Sequence, residues 1–523
     1  MTREQFHHII YLLGTIALVV SLPLSHFAMG LVAFILLLNW IAEWNWKEKW
    51  QNLRAHKELL VFSGLFVACL LGLIKTENWA FASHNVLSKL PLLMAPIVVA
   101  TSRPFTHKEM RYILHAFIAS TIFCCVCSTI YWATHTVGNI REISIFIDHI
   151  RFSLCIDLSI SFCLFFLLKA ETKSSWQVWT YIALIVGQIF YLLLAQTLTG
   201  IVILGALILF YLLYALFTMQ KGRTRTILLT MAALAIVLGT AYTTHVCISY
   251  FKDKDKNITA TQTAMGNDYE FNADTPLENG HRIGYYVCRP EMQSAWSLRS
   301  DTLYDEYLEQ TLIRYLNSKG LHKDYAGVMA LEEQDIRNVE RHIANYDYTR
   351  PLGLRRALYP NFFSYSMFKH YHYIDNSTLL QRFELWQASW TVIKDNWFLG
   401  VGIGDFKTAM DEQLAAQNSP IAYKLNRGSH NQWLTYWLMG GILLALYFLF
   451  TLVYPFFKMR DRITMIYIAL IIILFISALT EDTLETQTGR LLFCVFVPLL
   501  LHANLTPEKK SEEQGSASPE KSC

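Results

Sequence analysis

Apolar residues do not alternate along this chain. They run in long blocks with short polar links through residues 1–248, and again over 432–504. A helix needs about 20 predominantly apolar residues to cross a bilayer. By that measure residues 9–24, 26–43, 59–75, 87–101, 109–133, 151–168, 176–197, 199–219 and 226–248 are candidate spans, followed by 432–457, 463–480 and 489–504. The pattern predicts an all-α polytopic membrane protein with about twelve transmembrane helices. Nine lie in an N-terminal membrane region over 1–248, and three in a C-terminal one over 432–504. Residues 249–431 between them are rich in Asp, Glu, Lys, Arg and Tyr, which predicts one large, mainly helical, water-facing loop. Residues 505–523 are polar and read as a disordered tail. The first two spans are the least sharply defined, because Pro23 and Ser25 interrupt their run.

Composition agrees with the pattern. Of 523 residues, 53% are hydrophobic and 16% charged, against about 25% charged in soluble domains. An ordinary soluble enzyme, a disordered chain and a disulfide scaffold are thereby excluded. Most of the ten cysteines lie inside apolar blocks, where Cys behaves as a small hydrophobe. A Cys247–Cys288 bridge is conceivable but disfavoured, since Cys247 still falls within a helix. No CxxC or Cys/His spacing asks for a metal, and His370 and His372 have no evident third ligand. The net charge of +3 decides little; the positions of the charges decide more. Lys and Arg gather after the second, fourth, sixth, eighth and tenth blocks, as in Lys47–Lys57 and Lys458–Arg462. By the positive-inside rule both termini are cytoplasmic and the large loop lies outside.

The most informative stretch begins QRFELWQASWTVIKDNWFLGVGIGDF at Gln381. Phe383, Trp386, Trp390 and Ile393 recur at helical spacing, which predicts an amphipathic helix over 380–397 on the outer membrane face. Gly400, Gly402 and Gly404 follow. With no preceding strand and no GK[ST], they read as a tight turn that lets helices pack rather than as a phosphate loop. SHNQWLTYWLMGG then enters the tenth block, with His430 and Asn431 at the membrane boundary. A lone His there is usually an interfacial polar residue. Its company raises the odds of a site, because Arg382, a glycine turn and Arg427 share the same outer region.

The order R-x-x-x-W, GVGIGDF, SHNQWL and GG resembles the bacterial O-antigen ligase and polymerase superfamily. SALTEDTLETQTGRLLF near the last span, and YYVC, TLIRYLNSKGLHKD and IANYDY in the insert, resemble O-antigen ligase-like proteins of the Bacteroidetes type. The resemblance covers most of the chain and is strongest over 380–490. It implies a fold related to the integral-membrane glycosyltransferases of the GT-C type. It also implies glycan transfer outside the inner membrane without a cofactor or an essential metal. The implied donor is a glycan on undecaprenyl diphosphate, and the implied acceptor is lipid A–core or another glycan. Membrane lipids are further partners, and nucleic acid is not.

The resemblance assigns Arg382 and His430 as catalytic, with Arg382 on the departing diphosphate and His430 as the base toward the acceptor hydroxyl. Arginine suits the first role, since guanidinium is permanently charged and binds phosphate oxygens as a bidentate fork. Histidine suits the second because it titrates near neutrality, though orienting the acceptor or contacting phosphate fits His430 equally well. Arg151 resembles the family's outer-leaflet arginine, and an arginine at the membrane is a functional hypothesis by default. Asp148, three residues earlier, could hold it. Arg427 and Lys89 are further diphosphate candidates, and Asn431, Arg490 and Glu481 are weaker ones. For each, a plain interfacial or solvated role competes. Rival functions are a polysaccharide polymerase and a protein O-oligosaccharyltransferase of the same superfamily, a lipid-linked glycan transporter, and a non-catalytic scaffold. The absence of a sequence repeat and the clustering of charge at the outer face weigh against the transporter.

Overall fold

In the computed structural model, the residues described are 1–135, 140–168, 174–218, 222–258, 260–350, 353–374, 377–425 and 427–503. The expected tail over 505–523 lies outside them. Each predicted apolar block is mostly helical over its described residues. Local chemistry sets several starts: Thr2 and Thr106 head capping boxes closed by Gln5 and Glu109, and Ser25 and Thr464 accept from the first-turn amides of their helices.

Six helices are long and apolar enough to cross a membrane among the described residues. They are Trp79–Thr101, His107–Thr134, His149–Leu168, Ser175–Ala195, Leu198–Thr218 and Gln432–Lys458. A seventh would join His26–Ala42 to Trp46–Ala55 across a bend of 111°. Ile236–Phe251, Met465–Thr480 and Gln487–His502 are shorter apolar helices. Several expected spans are broken up. The block at 59–75 is an α-helix Leu60–Cys69 that tightens into a 3₁₀ turn at Leu70–Leu73. The last carries a π-helical turn, Leu492–Phe496, ahead of Pro498. The fourth block is extended instead: Trp79–Ser88 runs on into Leu90–Thr101, so Lys89 sits at a joint inside a 23-residue helix rather than at its outer start.

The chain divides into two compact units. The first comprises Met1–Leu207, Ile393–Phe406 and Asn431–Cys523. Its interior is aromatic at the last helix: Phe493 meets Phe62 and Phe448 edge-on, and Phe496 meets Phe117 and Phe162.

The second comprises Ile208–Val392 and Lys407–His430, so it takes in Arg223–Phe251 as well as most of the expected loop. Cys247 lies in that helix, and both it and Cys288 are free thiols. Two short antiparallel pairs open the loop, Glu270–Phe271 with Tyr285–Val287 and Leu277–Glu278 with His281–Arg282. The second pair turns on Asn279 and Gly280, both at positive φ (56° and 85°), the Asn-Gly choice a two-residue hairpin demands. Helices follow, centred on Glu306–Lys319, which is capped by Asp305 and ended by Gly320 at φ 70°. Leu308, Leu312, Tyr315 and Leu316 form its buried stripe and pack with Met292, Trp296 and Val339 into one core. Trp296 is fully buried and donates to the Thr302 carbonyl at 3.1 Å.

Candidate functional site

The sequence-derived site residues divide between the two units. Lys89, Arg151, Asn431, Glu481 and Arg490 belong to the first; Arg382, Arg427 and His430 belong to the second.

In the first unit, charges gather around the turn that links Met465–Thr480 to Gln487–Leu491. Lys89 is fully buried. Its ammonium is 2.5 Å from Glu485 and also donates to Asn85. Glu485 accepts from Gln432 Nε2 at 3.4 Å, while Gln432 Oε1 accepts the Leu484 amide at 2.7 Å. Burial would raise the Glu485 carboxyl, but the Lys89 and Arg490 charges and these hydrogen bonds hold it below the usual carboxylate range. Arg490 is 6% exposed and donates to Ser88 Oγ at 3.1 Å. The Lys89 charge is thus matched by an internal carboxylate.

Arg151 stands between two acids, 3.1 Å from Asp148 and 3.6 Å from Glu481. Glu481 is 1% exposed. Burial would raise the Asp148 carboxyl, yet His149 and Arg151 pull it well below its ordinary value. Asn431 is the N-cap of Gln432–Lys458, its side chain accepting from the Trp433 and Leu434 amides at 3.0 and 3.3 Å. Its Nδ2 donates to the Leu479 carbonyl at 3.0 Å, which ties the helix start to the end of its neighbour. The adjacent Thr435 donates to Asp482 at 2.6 Å. Gln432 and Asn85 were not singled out in the sequence. Gln432 carries a signal in hindsight, since it directly follows the His-Asn pair.

The glycine turn over 400–404 also lies in the first unit, and it is a packing joint. Gly440 and Gly441 leave helical geometry inside Gln432–Lys458. The backbone groups this break frees are met by the turn region: Val401 donates to the Leu438 carbonyl at 2.8 Å, and Ile442 donates to Trp397 at 3.0 Å. A Cβ on Gly441 would lie 1.8 Å from the Phe398 carbonyl oxygen, and one on Gly400 would lie 2.3 Å from that of Leu438. Both glycines also have positive φ, 70° and 69°.

In the second unit, Arg382 lies in the second turn of the helix Thr378–Asp395 and is half-buried. Leu385, Ala388, Ser389 and Val392 form the buried face of that helix. Phe383 and Trp390 are exposed, so the aromatics expected to face one way are split, with two of them presented outward. Glu384, beside Arg382, accepts from Ser419 at 2.9 Å and Gln417 at 3.4 Å, tying the helix to the segment that leads into Arg427 and His430. Arg427 and His430 are half-buried, and Ser429 between them is buried. His430 adopts left-handed backbone geometry, φ 49°, immediately before the Asn431 cap. A non-glycine residue held there costs about 1–3 kcal/mol, and such positions concentrate at functional sites.

No curated protein matches this chain. Residues 352–449, which contain Arg382, the glycine turn, Arg427, His430 and the Gly440–Gly441 break, match the family model described as O-antigen ligase, so this segment is similar to that family.

Proposed function

We propose that the protein is a glycosyltransferase of the inner membrane that moves a glycan from undecaprenyl diphosphate to a lipid A–core hydroxyl on the periplasmic face. The observation that carries this reading is the family match over 352–449, because all three groups assigned to the reacting centre, Arg382, Arg427 and His430, fall inside it. The left-handed His430 supports it, since a strained residue beside a helix cap is the kind of position a fold retains for a task.

In the proposed reaction the acceptor hydroxyl oxygen attacks the anomeric carbon from the face opposite the diphosphate. The new glycosidic C–O bond forms as the sugar–phosphate C–O bond breaks, and undecaprenyl diphosphate leaves with the electron pair. The hydroxyl proton passes to His430, and the anomeric configuration inverts. Negative charge builds on the diphosphate, where Arg382 and Arg427 supply permanent counter-charge without a metal. Arg151 lies in the first unit, where Asp148 and Glu481 already draw on its charge. Lys89 and Arg490 serve as supports of the first unit, and Glu481 and Asn431 as positioning groups.

The test is a gel profile of surface and lipid-linked glycans from a strain lacking the gene, complemented with wild type, Arg382→Ala or His430→Ala. The expected result without the gene is long chains retained on undecaprenyl diphosphate and missing from lipid A. Each variant should insert normally and fail to restore them. In purified transfer assays His430→Ala should cost about a hundredfold to ten-thousandfold, and Arg382→Ala about a hundredfold to a thousandfold. Single repeat units remaining on lipid A would identify a polymerase instead. Full activity in both variants would overturn the site.

A further inference from the structure

Two aromatic residues of the insert are spent on its interior: Trp296 is fully buried, and Tyr286 lies flat on His322 with ring centroids 4.3 Å apart. Tyr348, Phe363, Tyr371 and Tyr373 line a cavity of about 480 Å³ between the Leu277–Arg282 hairpin region, the helix Glu306–Lys319 and the helix Leu354–Tyr371. Tyr371 and Tyr373 are 51% and 44% exposed, so their rings are presented to solvent rather than buried.

The floor of this cavity is rigid and electrically balanced. Arg314 grips Glu278 with two parallel hydrogen bonds of 2.9 and 2.8 Å, and Asn345 donates to the same fully buried carboxylate at 2.8 Å. The guanidinium also lies 3.6 Å from the centroid of the Phe363 ring. With its charge matched by Glu278, Arg314 does not call for an anionic ligand, while its planar N–H edge still offers donors. On the rim, Tyr371 donates to the Asp274 carbonyl at 3.0 Å, which fixes its ring. Ser364 donates to the Pro360 carbonyl at 2.9 Å and keeps its oxygen as an acceptor. Gln310 adds an exposed amide.

We propose that this cavity of the insert, whose lining includes none of Arg382, Arg427 and His430, is a saccharide-binding site which holds one or two sugar rings of the glycan substrate. Pyranose rings carry an apolar C–H face and a rim of neutral hydroxyls. The cavity offers aromatic faces beside neutral donors and acceptors, in a volume within the about 300–1,000 Å³ range of small-molecule sites. Side chains already fixed by Glu278, Asp274 and Pro360 lose little freedom on binding, which favours affinity for a weakly held ligand such as a sugar. That the ligand is part of the glycan substrate rests on the transferase reading; that it is a saccharide does not.

The experiment is calorimetric titration of the full-length protein in nanodiscs with the oligosaccharide released by mild acid from the host's own lipid-linked glycan. No lipid-linked donor is present, so binding is scored independently of transfer. Saturable binding is expected in wild type. Tyr371→Ala combined with Tyr373→Ala should weaken it by about tenfold or more, while Tyr371→Phe, which keeps the ring, should stay within about threefold of wild type. Wild type that shows no binding, or a double variant that binds as wild type does, would overturn the proposal. Binding that survives in a protein shown to lack transferase activity would retain the saccharide site and remove only its assignment to a transfer substrate.

Discussion

A lysine ammonium taken wholly out of water costs several kcal/mol unless a counter-ion and hydrogen bonds replace its hydration, and Lys89 has both in Glu485 and Asn85. Removing one partner strands the other charge in the interior. Lys89→Met should therefore destabilise the detergent-solubilised protein by about 3–5 kcal/mol, and Glu485→Gln by a comparable amount. Replacing both, Lys89→Met with Glu485→Met, should recover much of the loss, because neither charge is then stranded. Thermal denaturation of the three variants checks this, and a double variant no more stable than either single one would show that the pair does more than neutralise itself. The same balance explains what was legible at this scale. Lys89, Arg151, Arg490 and Glu481 could be singled out because charges near apolar spans are rare and costly. Their partners could not be read. Arg151 meets Glu481, and Lys89 meets Glu485, across most of the chain's length, and nothing in the spacing of either residue announces the other.

Elements were legible where the signal is local. Apolar block length predicts helices, whereas the Thr2 and Thr106 caps that start two of them were not singled out. What interrupts a helix is set by long-range contacts, and these escaped. The Gly-Gly step in Gln432–Lys458 matters because the 397–401 backbone fills the break it makes, so the two glycine motifs of the sequence are one joint. Gly441→Ala should displace that joint, since its Cβ would lie 1.8 Å from the Phe398 carbonyl oxygen and its φ is 70°. A loss of at least about 2–3 kcal/mol is expected, read as a lower melting temperature. Gly187→Ala, with nothing within 4 Å of its Cβ, is the control and should be neutral or slightly stabilising. In the insert, Lys323 is buried, its ammonium donating to the Arg282 and Tyr285 carbonyls at 3.2 and 2.9 Å. Burial lowers its pKa to about 8, against about 10.4 for an unfolded lysine. Between those values the unfolded chain holds a proton that the folded insert has released, so stability rises as pH rises through that window, and the charge penalty is fully present below it. Lys323→Met should flatten this alkaline rise, as followed by hydrogen exchange of the Glu306–Lys319 helix.

At the scale of the whole molecule, two independent features bear on where the chemistry sits. The family match holds Arg382 and His430, which places the proposed reacting groups at the end of the insert and directly ahead of the Gln432–Lys458 span. The distribution of Lys and Arg in short links predicts which side that end faces, with the Lys458–Arg462 link cytoplasmic and the insert periplasmic. A transferase that uses a donor on the periplasmic face requires the second feature as much as the first, because the opposite orientation would present Arg382 and His430 to the cytoplasm. Single cysteines in a background with the native thiols replaced separate the two arrangements. Asp301→Cys lies on an exposed position of the insert, and Asp461→Cys on an exposed position of the link beyond Lys458. In spheroplasts with sealed membranes, an impermeant maleimide should label the cysteine at 301 and leave that at 461 unlabelled until the cells are lysed. The reverse pattern would move the proposed site to the cytoplasmic face, away from an acceptor such as lipid A–core in the outer leaflet, and would remove the ligase reading even if both catalytic variants were inactive.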